Sequence, residues 1–263
     1  MSLQSVAAKI GQPEHTGAEP GYAPGEVSYA SVEVREAVER VQSGAWRIPD
    51  FQREFVWKPY QLLGLVDSLW RNYPVGSLLL WAHPLHARER TAAAMWIADG
   101  QQRLTGLCVL MGRRPYWWSP ESWESEVERK YQVFVDTERR GSPFVLESHL
   151  GNEDRRSSRF IRSQDLLELI WQPRETAERE CRLIAGRLKA AGFCLGQSEE
   201  CVASFLASVV AVVQRRISLT TVSHGREEVL EIFQRLNSRG MKFRHLLLRL
   251  AMKAAGWQPG ALA

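Results

Sequence analysis

Residues 94 to 106, Ala-Met-Trp-Ile-Ala-Asp-Gly-Gln-Gln-Arg-Leu-Thr-Gly, constrain the fold more than any other stretch of the chain. The run Ala94–Ala98 is apolar and too short for a helix between polar flanks, so it reads as a buried strand. Leu104, Leu107, Cys108 and Met111 then recur at i, i+3, i+4 and i+7, the spacing of one helix face. A strand therefore runs straight into a helix, with Gly100 in the turn. The first backbone N–H groups of such a helix have no partner inside it and carry the positive end of its dipole, which suits a phosphate or another anion. Gly100 lets that anion approach the backbone. Arg103 adds a permanent forked donor for phosphate oxygens, and Gln101 and Gln102 are uncharged groups able to orient water or read a base edge. The same letters also spell a capping box, with Asp99 as N-cap and Gln102 reaching back to it. Spacing alone leaves both readings open.

At 263 residues and 44% hydrophobic content the chain can bury a substantial core in one large domain or two small ones. No apolar stretch is long enough for a transmembrane helix, and the N-terminus lacks the pattern of a secretory signal, so the expected compartment is cytoplasmic. Cys108, Cys181, Cys194 and Cys201 form no Cys-x-x-Cys pair and are expected to be buried free thiols rather than disulfides or zinc ligands. The formal charge is only +4, but from Cys201 onward nine Lys/Arg face three acids. That basic last quarter permits nucleic-acid binding through phosphates and equally fits a solvated helical face.

Residues 1–26 show no apolar periodicity and read as a flexible leader. Ser31 is expected to cap a helix with the stripe Val34, Ala37, Val38, Val41. Trp46–Ile48 reads as a short strand, 58–73 as a helix ended by Asn72-Tyr73-Pro74, and Ser77–Trp81 as a strand. Trp117, Trp118 and Trp123 can stack on bases or pack under a loop. Lys130–Asp136 alternates as a strand. The polar run near 141–162 reads as a linker between residues 27–140 and a mostly helical region, 163–263. Within the latter, 163–171, 174–191, 198–215, 226–237 and 243–256 have helical periodicity, and Ile217–Val222 reads as a strand.

Four blocks in order, Ile48-Pro49-Asp50-Phe51-Gln52-Arg53, Tyr73-Pro74-Val75-Gly76-Ser77, Asp99-Gly100-Gln101-Gln102-Arg103-Leu104-Thr105 and Phe233-Gln234-Arg235-Leu236-Asn237-Ser238-Arg239-Gly240, resemble a bacterial family, domain of unknown function 262. That family includes the GmrS half of GmrSD-type, modification-dependent restriction systems and phosphorothioate-sensing anti-phage proteins. The resemblance implies an α+β fold, with a ParB/sulfiredoxin-like nucleotide-binding domain over 27–140 and helices behind it. It also implies binding and hydrolysis of a GTP- or CTP-type nucleoside triphosphate with Mg2+. Carried over residue by residue, Asp99, Gln101, Gln102 and Arg103 are the catalytic positions. Gln52, Arg53, Gly100 and Asn237 join Arg103 in binding nucleotide and phosphate. In that frame Arg53 and Arg103 would neutralise growing phosphate charge, Asp99 would hold Mg2+ or a water, and Gln101 or Gln102 would orient the attacking water.

Members of the family that cut DNA carry, or pair with, an HNH nuclease. His224, Asn237 and His245 repeat those letters in order, but 226–236 reads as a helix and not as the hairpin such a nuclease needs. The expected partners are therefore nucleotide, DNA bearing a modification, and a nuclease subunit or domain lying elsewhere, with the oligomeric state left open. A non-catalytic nucleotide or DNA switch, or a ParB-like nuclease, are the alternatives. The second lacks a metal-ligand cluster in the sequence.

Overall fold

The computed structural model describes residues 25–48, 55–82, 95–139 and 141–237. Nearly all of the leader, Gln52, Arg53 and the helix expected at 243–256 lie outside these described residues.

The principal sheet has five strands in the order β1 (Val27–Glu33), β8 (Arg216–Val222), β3 (Leu78–Trp81), β4 (Met95–Asp99), β2 (Trp46–Arg47). β1 pairs antiparallel with β8, and β3 antiparallel with β4. β3 runs parallel to β8, and β2 parallel to β4. These directions bring the start of β3 and the end of β4 together, while β2 pairs with the first residues of β4. Leu79 lies opposite Asp99, beside a register shift between Leu79 and Leu80.

Helices α1 (Val34–Gln42), α2 (Pro59–Trp70) and α3 (Gln101–Leu110) cover one face. Their apolar stripes close a core with Val32, Leu78, Leu80, Ile97 and Ile217 of the sheet. α2 starts where its sequence allows it to: Pro59 needs no amide partner, and Gln61 Oε1 accepts from the Lys58 N–H at 2.8 Å. α4 (Pro120–Lys130) is capped by Ser119, and α7 (Glu199–Val210) by Ser198. The short α5 (Ser163–Leu167) and α6 (Arg174–Ala190) both pack against α7. On the other face, Leu79, Trp81 and Val222 form a smaller cluster with Val229 of α8 (Arg226–Asn237).

Three sequence expectations change. The linker expected at 141–162 contains β6 (Phe144–Leu146) and β7 (Phe160–Arg162), which flank β5 (Val133–Asp136) in a second, antiparallel sheet. All three β6 residues are buried, and a single core runs from Val32 to Ile217, across the boundary expected there. The first helix is preceded by β1, and its N-cap is Glu33 rather than Ser31. β1 escapes a reading of local periodicity because its partner β8 lies far away in sequence, with Tyr29 opposite Thr220. Of the cysteines, Cys108, Cys181 and Cys194 are buried free thiols and Cys201 is an exposed one.

The architecture is α+β, with two sheets and eight α-helices among the described residues. No helix among the described residues is long and apolar enough to cross a membrane.

Candidate functional site

β4 ends at Asp99, and α3 begins two residues later. Gly100, at φ +99°, makes the turn. A side chain at Gly100 would be strained in that conformation and would strike Leu78. The capping box does not form. Gly100 itself is the N-cap, and no side chain caps the helix. Gln102 reaches sideways instead, its Oε1 accepting from the Val56 N–H at 2.9 Å.

Arg103 has three acceptors. Its Nη1 donates to the Val75 carbonyl at 2.9 Å, and its Nη2 donates to the Ser77 carbonyl at 2.8 Å and to Asp99 Oδ2 at 3.1 Å. The guanidinium thus ties the Tyr73–Ser77 turn to the end of β4. Gly76, at φ +82°, makes this possible, since a Cβ there would lie 2.7 Å from Nη1. Burial pulls the Arg103 guanidinium below its ordinary value and the Asp99 carboxylate partly restores it. The side chains are 18% and 38% exposed, so Asp99 is the more open partner. Gln101 is buried at the start of the helix, with Thr105 one turn on. Thr105 Oγ1 is buried without a hydrogen-bond partner among the described residues.

Gln52 and Arg53 lie outside the described residues, but the chain on either side of them is anchored beside α3. Ile48 donates its N–H to the Tyr116 hydroxyl at 3.1 Å. On the far side, Val56 is held by Gln102, and the Trp57 carbonyl accepts from the Tyr131 hydroxyl at 2.7 Å. Phe55 packs on Trp57, Trp118 and Tyr131, and Trp118 packs edge-on against Trp123 at 5.0 Å. These tryptophans therefore build the wall that carries residues 55–57, and Trp117 and Trp118 lie against the core. Asn237 is the last residue of α8, which meets β4 through the cluster containing Trp96 and Ala98. Its side chain lies outside what the structure describes.

Two hydroxyls beside Arg103 have no counterpart in the local reading of the motif. Ser77 Oγ lies 3.1 Å from Thr220 Oγ1 and donates to the Ser218 carbonyl at 3.2 Å. Ser77 was visible as the end of the turn block. Thr220 was not, because only the parallel pairing of β3 with β8 brings it there.

A family model described as the GmrSD restriction endonuclease N-terminal domain matches residues 34–251. The chain belongs to this family. The match spans every described helix and all four motif blocks, so membership rests on most of the sequence and not on one motif. The family is that of a restriction system, which sets the chain in a DNA context. No curated protein matches the chain.

Proposed function

We propose that the chain is the nucleoside-triphosphate-binding and hydrolysing sensor of a modification-dependent DNA restriction system, built on a ParB-like nucleotide domain. The nucleotide, of GTP or CTP type, would lie at the sheet edge where β4 passes into α3. The observation that carries this reading is the convergence on that edge of Asp99–Arg103, the 73–77 turn and the anchored flanks of the segment bearing Gln52 and Arg53. β4 ends there, and ligands of α/β sheets favour the carboxyl ends of strands. DNA and a separate nuclease subunit or domain are the partners this role requires.

The local geometry refines the division of labour. Arg103 already serves three protein acceptors, so we assign it to holding Asp99 and the turn. Phosphate charge would then fall to Arg53 and to the amide-rich start of α3 at Gly100. Asp99 Oδ1 has no hydrogen-bond partner among the described residues. A single carboxylate fits Mg2+, which keeps several waters and is commonly held by one or two carboxylates and the substrate's phosphates. Gln102 holds Val56 and so shapes the pocket wall, with Asn237 as a further nucleotide contact.

The engagement of Arg103 also favours a second reading, a switch that binds nucleotide without turnover. Phosphate release from GTP and CTP with Mg2+, with and without modified DNA, separates the two. Asp99→Asn should abolish release while the Arg103 contacts survive. Nucleotide binding by the wild-type chain with no release under any of these conditions would leave the switch. No binding of either nucleotide would remove both readings.

A further inference from the structure

The small sheet packs one face into the core through Val133, Val135 and Ile161. Its other face carries buried Val145 and Asp136 but is partly solvated, and positions on a solvated face are normally polar. Here two aromatic rings occupy it. Phe134 on the central strand lies opposite Arg162, two residues from Phe160 on the same strand, and both rings are half-buried. Neither belongs to the core or packs against it. They form part of the lining of a cleft of about 680 Å³, whose rim includes Gln132, Glu147, Arg162 and Asp165.

This face is braced. Asp136 is buried and takes a forked pair of bonds from Arg159, both at 2.7 Å, while the Arg159 guanidinium lies 5.1 Å from the centre of the Phe160 ring. The rim groups are paired in the open. Arg162 grips Asp165 at 2.9 Å, and Arg155 stands 3.6 Å from Glu147. A carboxylate held by one arginine still has lone pairs to spare, about four sites in all. Two half-buried rings with donors and acceptors around them suit a flat heterocycle that stacks on its face and is read along its edge.

We propose that this cleft is a second site, remote in sequence from the Asp99–Arg103 motif, which takes a nucleobase out of its stack onto Phe134 and Phe160 and reads its edge with Gln132, Glu147, Arg162 and Asp165. Two carboxylates on the rim favour a base with an exocyclic amino group, as a carboxylate accepts from cytosine N4. The volume fits a nucleoside-sized ligand. The proposal rests on the DNA context of the family and is independent of nucleotide turnover.

The test uses the full chain and a short single-stranded DNA carrying 2-aminopurine between two abasic positions, where no neighbouring base quenches it and its emission falls only when it stacks on the protein. Wild-type protein should quench it, and unlabelled dC or dA strands should compete better than dT. Phe134→Ala and Phe160→Ala should each weaken binding by roughly fivefold or more, the effect expected when one base loses its aromatic partner. Phe134→Leu keeps an apolar side chain without the ring and should weaken binding too, which separates stacking from misfolding. Phosphate release from nucleotide should be the same in these variants as in the wild type. Absence of binding, binding without quenching, or equal affinity in Phe134→Leu overturns the proposal.

Discussion

Gly76→Ala combined with Arg103→Ala tests whether the arginine is a clamp. An alanine at φ +82° carries a left-handed penalty of about 1–2 kcal/mol whatever surrounds it. Its Cβ would also fall 2.7 Å from Arg103 Nη1. The end of a flexible side chain would normally swing clear at little cost, but this one is 18% exposed and held by two carbonyls and a carboxylate. Moving it strains or breaks the bonds to Val75 and Ser77. Hydrogen bonds from a charged donor contribute about 1.5–3 kcal/mol each, and we take roughly 2–4 kcal/mol for both because the Ser77 end is open to water. Gly76→Ala should therefore destabilise the wild type by about 3–6 kcal/mol, but the Arg103→Ala background by only about 1–2 kcal/mol. The coupling, roughly 2–4 kcal/mol, is measured by urea unfolding of the four proteins in a double-mutant cycle. Additivity within about 0.5 kcal/mol would refute the clamp.

Gln102→Glu keeps an oxygen acceptor for the Val56 N–H, so its unfolding midpoint should stay close to wild type. A negative charge beside the phosphates should cut phosphate release by about a hundredfold, the scale on which single electrostatic groups act in such sites. Unchanged release would remove Gln102 from the nucleotide pocket. The cysteines supply a third check: burial pushes the Cys108, Cys181 and Cys194 thiols up, whereas Cys201 is exposed. Thiolate is the reactive form, so near neutral pH a maleimide should label Cys201 alone in the native protein and all four after denaturation, as read by mass spectrometry. Fast labelling of Cys108 in the native state would contradict its place in the core.

The elements that could be read from the sequence are those whose burial leaves a local period. β4 and α3 appear where the apolar run and the i, i+3, i+4 stripe say they should, and so do α1, α2, α6 and β8. The strands β6 and β7 were hidden because each is three residues long within a run rich in Arg and Ser. The site was legible as a strand, a glycine and a helix, but not in the direction of its side chains. Asp99 and Gln102 have capping-box spacing, yet Gly100 takes the N-cap and frees Gln102 for Val56. Nor does sequence spacing reveal that the acceptors for Arg103 lie in the 73–77 turn, because that contact depends on β3 pairing with β4.

The position of β8 bears on how this protein can be made and dissected. A ribosome delivers β1, β2, β3 and β4 first, yet β1 and β3 never touch as neighbours, and the strand that joins them emerges only at Arg216–Val222. Until then both carry a bare edge of backbone donors and acceptors, the kind of surface on which nascent chains stick to one another. A fragment cut near residue 140 would keep the whole Asp99–Arg103 motif and still lack the staple that closes its sheet. Such a piece is expected to aggregate, so work on the nucleotide site needs the chain carried through β8.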